Sequence, residues 1–175
     1  MALAFLTNDT KAMTTSLDHT ARNLRYKVPR LHDYLFNPTD LGGLALTLSD
    51  VFDVPLRTLL TNGLDLDRLA RVWDCYVFEG EKIMIRATVA ILRCLQPQIF
   101  AFEGSLATKR RKICDLLNWG KSSFGLNSEA GKDVGEADAA DGDRRYRCYW
   151  SLDGDVDEFM LEVKEAGRYN EGDDE

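Results

Sequence analysis

The chain has 175 residues, 45% hydrophobic and 29% charged, an ordinary globular balance in a length that can bury one real core. Its net charge of −7 is unevenly held: residues 129–175 carry 16 Asp and Glu against 6 Lys and Arg, a net of −10, which leaves residues 1–128 at +3. An acidic tail on a mildly basic body argues against nucleic acid as the main partner, and no run of about 20 apolar residues predicts a membrane span.

The first six residues, Met1-Ala-Leu-Ala-Phe-Leu6, are too short for a signal-peptide core and have no basic residue before them, so a cytoplasmic protein is expected. From Leu17 to Leu35 the apolar positions Leu17, Ala21, Leu24, Val28, Leu31 and Leu35 recur at helical spacing. Pro29 falls inside this run and should kink it or split it into two short helices. Residues 37–55 begin with turn chemistry, Asn37-Pro-Thr-Asp40 and Gly42-Gly43, continue irregularly apolar, and are expected to close at Pro55.

The strongest pattern starts at Leu64. Asp65 is suited to an N-cap, Asp67 places negative charge at the positive end of the helix dipole, and Leu69, Val72, Trp73 and Tyr76 form the predicted core face. Gly80 punctuates. Glu81 to about Leu95 is apolar nearly all round, which predicts a buried helix stopped by Pro97. A further helix is predicted from Leu106 to Trp119 with Ile113, Leu116 and Leu117 as its core face. Lys121 to Asp143 is rich in Gly, Ser, Ala and Asp, and its composition predicts a disordered linker. Order should return near Tyr146. Residues Asp155 to Ala166 predict a short amphipathic helix with Val156, Phe159, Met160 and Val163 on one face and Gly167 just beyond its end.

No strand alternation and no internal repeat is visible. The expected architecture is all-α, an irregular multi-helix array with a disordered linker and a C-terminal amphipathic helix, divided at 1–120, 121–145, 146–169 and an acidic tail at 170–175. Cys75, Cys94, Cys114 and Cys148 form no Cys-x-x-Cys pair, and three lie in apolar helical patterns, which predicts buried, reduced thiols. With only His19 and His32 as imidazoles, no metal site and no cofactor are expected.

The run from Leu64 to Leu92 resembles the late segment of TBC domains, the Rab GTPase-activating family. Arg71, Trp73, Asp74, Glu79, Gly80, Arg86, Ala87 and Ala90 all match the family pattern across two helices in fixed register. Leu24-Arg-Tyr-Lys-Val-Pro-Arg-Leu-His-Asp-Tyr-Leu35 is similar to an upstream family helix, and Ile113-Cys-Asp-Leu-Leu117 to the last one, so the likeness spans about residues 24–119. The C-terminal Asp157-Glu-Phe-Met and Glu165-Ala-Gly167 resemble an appended helix of some fungal members.

The resemblance implies the C-terminal subdomain of a TBC domain, a Rab-type small GTPase as partner, and action on vesicle traffic. The family supplies an arginine finger from Ile-x-x-Asp-x-x-Arg and a glutamine finger from Tyr-x-Gln. A guanidinium beside the γ-phosphoryl oxygens stabilises the charge that spreads there in the transition state, an effect worth roughly 10³–10⁵ in rate. Neither motif occurs here. The glutamines, Gln96 and Gln98, have no tyrosine two residues before them, and Leu64…Asp67…Ala70 ends in alanine where the arginine belongs. In the family both motifs precede every segment matched here, so no catalytic residue is expected in this chain and a truncated domain is implied. The segment before Leu56 also departs from the family, with Pro55 where aromatic residues usually stand, and a mispredicted gene model would explain both departures.

Trp73, Asp74, Glu79 and Arg86 could be taken for a catalytic cluster; periodic helical positions favour instead a core tryptophan and charged groups that cap or pair between helices. Lys109, Arg110, Arg111 and Lys112 are a candidate basic contact to acidic membrane, which would make the protein peripheral at endomembranes, to nucleic acid or to a nuclear-import receptor, but four consecutive helical residues point in all directions and suit a solvated face better. Asp153-Gly-Asp-Val-Asp157 fails as a calcium loop because Glu158 and Lys164 stand where glycine and glutamate are required. Gly120-Lys121-Ser122 fails as a P-loop because Asp115 occupies the first glycine position.

Overall fold

The computed structural model describes residues 10–119, 150, 152 and 154–167. Among them lie seven α-helices, one 3-10 turn and no strand, the all-α architecture that the periodicity predicts. The expected linker, the return of order at Tyr146, Cys148 and the acidic tail lie outside the described residues.

Helix α1 spans Thr10–Lys27 and buries Met13, Ser16, Leu17, Thr20, Ala21 and Leu24. The two buried hydroxyls are satisfied within the helix, Thr20 donating to the Ser16 carbonyl at 2.7 Å and Ser16 to that of Ala12 at 3.1 Å. Pro29 splits the run as its chemistry requires. Val28 leaves helical geometry at φ −137° and ψ 65°, and Pro29 opens α2, Pro29–Phe36, where its missing N–H costs nothing.

The chain then turns through Thr39–Leu41 and Gly42, at φ +80°, and runs back beside α2. The Leu44 N–H donates to the Tyr34 carbonyl at 2.8 Å and the Leu46 N–H to that of Leu35 at 2.9 Å, satisfying carbonyls that the end of α2 leaves free.

Helix α3, Leu48–Arg57, starts in a reciprocal cap in which the Asp50 N–H donates to Thr47 and the Thr47 N–H to the Asp50 carboxylate. Pro55 does not close this segment; it sits buried inside the helix, which runs two residues further. The corner that follows places Leu59 and Leu60 at φ 51° and 65°, left-handed positions that non-glycine residues rarely adopt.

Helix α4, Leu66–Glu79, is capped by Asp65, whose carboxylate accepts the Arg68 N–H at 3.0 Å. Gly80, at φ 68° and ψ −146°, separates it from α5, Glu81–Ala101. Ten residues of α5 are buried, and α1, α3, α4 and α7 all pack against it.

Two expectations about α5 are corrected. By length and composition the helix is apolar enough to cross a membrane, but 56% of its most apolar window is buried inside the fold, as befits a central core helix. Nor does Pro97 stop it. The proline is exposed, while Ile99 on the core side is buried and Phe100 meets Tyr34 edge-on at 5.0 Å, and these contacts hold a last turn that a proline would otherwise break.

Helix α6, Leu106–Trp119, packs on α3 through buried Ile113, Leu116 and Leu117. Trp150 is 3% exposed and closes the corner between α3, α4 and α6: its backbone N–H donates to the Gly63 carbonyl at 2.7 Å and its indole N–H to that of Leu116 at 2.8 Å. Helix α7, Val156–Gly167, lies on α4 and α5 with Phe159, Val163 and Ala166 buried; Gly167 is its last residue rather than the one beyond.

Candidate functional site

The matched motif is carried by α4 and α5, so its geometry follows from how those helices meet. Gly80 sets the angle between them. A cleft of about 460 Å³ opens where α7 lies across the pair, and it takes Arg71, Asp74 and Glu79 from α4, Arg86 from α5, and Asp157 and Lys164 from α7. Its floor is apolar, from Ile83, Met160 and Val163.

The charges in the cleft pair across elements. Arg86 donates to Glu79 at 2.6 Å and so bridges α5 to α4. Arg71 stands 3.9 Å from Asp157, linking α4 to α7. Outside the cleft Arg93 pairs with Glu162 at 2.9 Å. Exposed pairs of this kind contribute about 0–1 kcal/mol each, so they fix the register of α7 more than they stabilise it. The expected pairing of charged groups between helices is therefore what Glu79 and Arg86 do.

Four motif residues do not line the cleft, and Ala87 and Ala90 are buried in α5. Gly80 serves the backbone. Trp73 is not in the core: it is 42% exposed, and its indole N–H donates to the Leu59 carbonyl at 3.2 Å, bracing the left-handed corner. The cause is that α4 is covered on one side only. Val72 is its single buried residue, and Leu66, Trp73 and Val77 line the opposite face, with Phe78 beside them at 89% exposure.

Arg68, which the sequence reading did not single out, is the better-anchored cation of α4. It donates to the Asp65 carboxylate and to the Gly154 carbonyl, both at 2.5 Å, and so ties the start of α4 to the segment ahead of α7. Burial pushes the Asp65 carboxyl up, but the Arg68 N–H, its guanidinium and the residue's own backbone N–H outweigh that and hold it below the ordinary value.

The basic run divides as four consecutive helical residues must. Arg110 turns inward to the Leu44 carbonyl at 2.5 Å, Lys112 lies 5.9 Å from the Phe102 ring, and Arg111 is exposed. Cys75, Cys94 and Cys114 join no disulfide among the described residues and are half-buried rather than buried as expected. Burial, then the charges of Asp50 and Asp115, push the Cys114 thiol up, which makes it a poor nucleophile. No group of His, Cys, Asp and Glu that could hold a metal occurs among the described residues.

A family model of the Rab-GTPase-TBC domain matches residues 1–100. No curated protein and no solved structure matches the chain. The matched span starts before Leu24 and stops one residue short of the end of α5, so α6 and α7 lie outside it.

Proposed function

Because this chain belongs to the Rab-GTPase-TBC domain family, we propose that it is the C-terminal part of such a domain and regulates a Rab-type small GTPase in vesicle traffic. The family match over residues 1–100 carries this reading. The chain holds neither finger motif, so it contributes scaffold and contact surface while the charge-neutralising groups come from outside these 175 residues. Arg71, Trp73, Asp74, Glu79, Gly80 and Arg86 are structural in this scheme: Arg71, Glu79 and Arg86 link α4, α5 and α7 by their ion pairs, Asp74 lines the cleft between them, Gly80 sets the turn and Trp73 braces the α3–α4 corner. The protein acts in the cytoplasm and reaches endomembranes through its GTPase rather than through Lys109–Lys112, whose side chains diverge.

The test is single-turnover GTP hydrolysis by a panel of Rab proteins with and without the purified chain. No acceleration is expected. A rise above about tenfold, within reach of any supplied arginine, would overturn the proposed lack of fingers.

A second reading, a non-catalytic helical interaction module, is favoured by the apolar face of α4, where Leu66 and Val77 are 74% and 79% exposed. Thermal melting and size-exclusion chromatography separate the two. Cooperative unfolding of a monomer favours a self-sufficient module, and aggregation favours a domain part whose complement is missing.

A further inference from the structure

A second cavity, of about 520 Å³, opens between α1, α5 and the end of α7. His19 and Arg22 enter it from α1 and Lys82 and Arg86 from α5; among the described residues its remaining lining is Asn23, Ile85 and Gly167, with no carboxylate among them. His19 and Arg22 lie three residues apart on one helix and Lys82 and Arg86 four apart on the other, so each pair shares a face. The packing of α1 on α5 turns both faces toward the same space.

Such a gathering of like charge costs free energy unless something compensates it. Arg86 has Glu79. His19, Arg22 and Lys82 have no hydrogen-bond or ion partner among the described residues, and Asp18, one turn before Arg22, makes no ion pair with it. Among the described residues, the charged side chains that line the cavity, Arg22, Lys82 and Arg86, are all cations. Gly167 completes the shape: a side chain there would collide with the Arg86 guanidinium.

We propose that this cavity binds an organic phosphate bearing at least two phosphate groups. Guanidinium forks and a lysine ammonium suit phosphate oxygens, which concentrate two charges on one group, whereas peptide carboxylates offer one charge each along an extended backbone. The volume lies in the range of small-ligand sites and is too narrow for a docked helix. The ligand is either a soluble phosphorylated metabolite or the headgroup of a phosphorylated lipid; the chemistry of recognition is the same.

The experiment uses the full 175-residue chain. Calorimetric titration with inositol hexakisphosphate reports the soluble source, and co-sedimentation with phosphatidylcholine vesicles, with and without phosphatidylinositol bisphosphate, reports the lipid source. Binding in at least one arm is expected. Arg22→Glu and Lys82→Glu, both at exposed positions, should each weaken it by at least about tenfold, while Arg111→Glu, an exposed cation on α6, should leave it within about twofold. If a charge reversal disturbs the circular dichroism spectrum, Arg22→Gln and Lys82→Gln take its place. No binding in either arm, an equal loss from Arg111→Glu, or equally tight binding of polyglutamate would each overturn the proposal. None of these readouts depends on GTP hydrolysis, so the proposal stands or falls apart from the Rab reading.

Discussion

Replacing Trp150 with alanine should loosen the whole fold. The side chain is 3% exposed and lies against Leu60, Ile91 and Leu117, and its ring sits so close to Gly63 that a methyl group there would overlap it. Truncating a buried tryptophan removes its transfer free energy and leaves a cavity, together about 3–5 kcal/mol. The indole N–H also serves the Leu116 carbonyl, in the last turn of α6. In a chain of 175 residues each kcal/mol shifts the melting temperature by about 2–4 °C, so Trp150→Ala should lower it by roughly 6–20 °C. Trp150→Phe keeps an aromatic ring and gives up the hydrogen bond, a loss nearer about 0.5–1.5 kcal/mol plus that of the smaller ring. Urea unfolding followed by far-UV circular dichroism gives both the midpoint and the slope. A loss below about 1 kcal/mol for Trp150→Ala, the size of an average point mutation, would refute the claim that this residue closes the corner. So would a separate early transition in the parent protein, because Trp150 and α7 would then unfold apart from the remainder.

Gly80→Ala should destabilise by about 1–3 kcal/mol from backbone strain alone, since the site has open space around it but a φ of 68° and ψ of −146° that side chains avoid; a urea midpoint matching the parent would contradict this. Asp65→Asn should lessen the acid sensitivity of the fold. The carboxyl is held below its ordinary value in the folded state, so its contribution is present above the unfolded-state pKa and is lost as pH falls through the lower folded one; the stability gap between parent and variant should shrink below about pH 4, and a gap constant with pH would contradict the pairing with Arg68. Thr47→Ala should cost about 1 kcal/mol by opening the reciprocal cap of α3, measurable in the same denaturation series.

What could be seen in the sequence was whatever a short window encodes. The split at Pro29, the Asp65 cap, the Gly80 break and the core face of α6 each rest on neighbours within a turn or two, and each appears where the local chemistry places it. Pro55 and Pro97 misled because a proline forbids one hydrogen bond, not a helix, and burial around α3 and the end of α5 outweighs that loss. Trp73 misled for the opposite reason. Periodicity marks an apolar face but does not say whether a neighbour covers it, and α4 carries apolar residues on two faces. The cleft was half visible: Arg71, Asp74, Glu79 and Arg86 are adjacent in sequence, but Asp157 and Lys164 arrive from beyond an intervening segment that no local spacing crosses. The cationic cavity had no signal at all, because its charges sit on two helices far apart in the chain.

The position of α7 bears on how this protein should be cut for experiments. A polypeptide ended at residue 100, where kinship to the family gives out, would lose the helix that roofs Ile83 and the indole that plugs the hollow beside Leu60 and Ile91. Water would wet surfaces that the intact chain keeps dry. The stretch that matches the family and the stretch that closes the core are then two different lengths, and the later residues are what let the earlier ones stand.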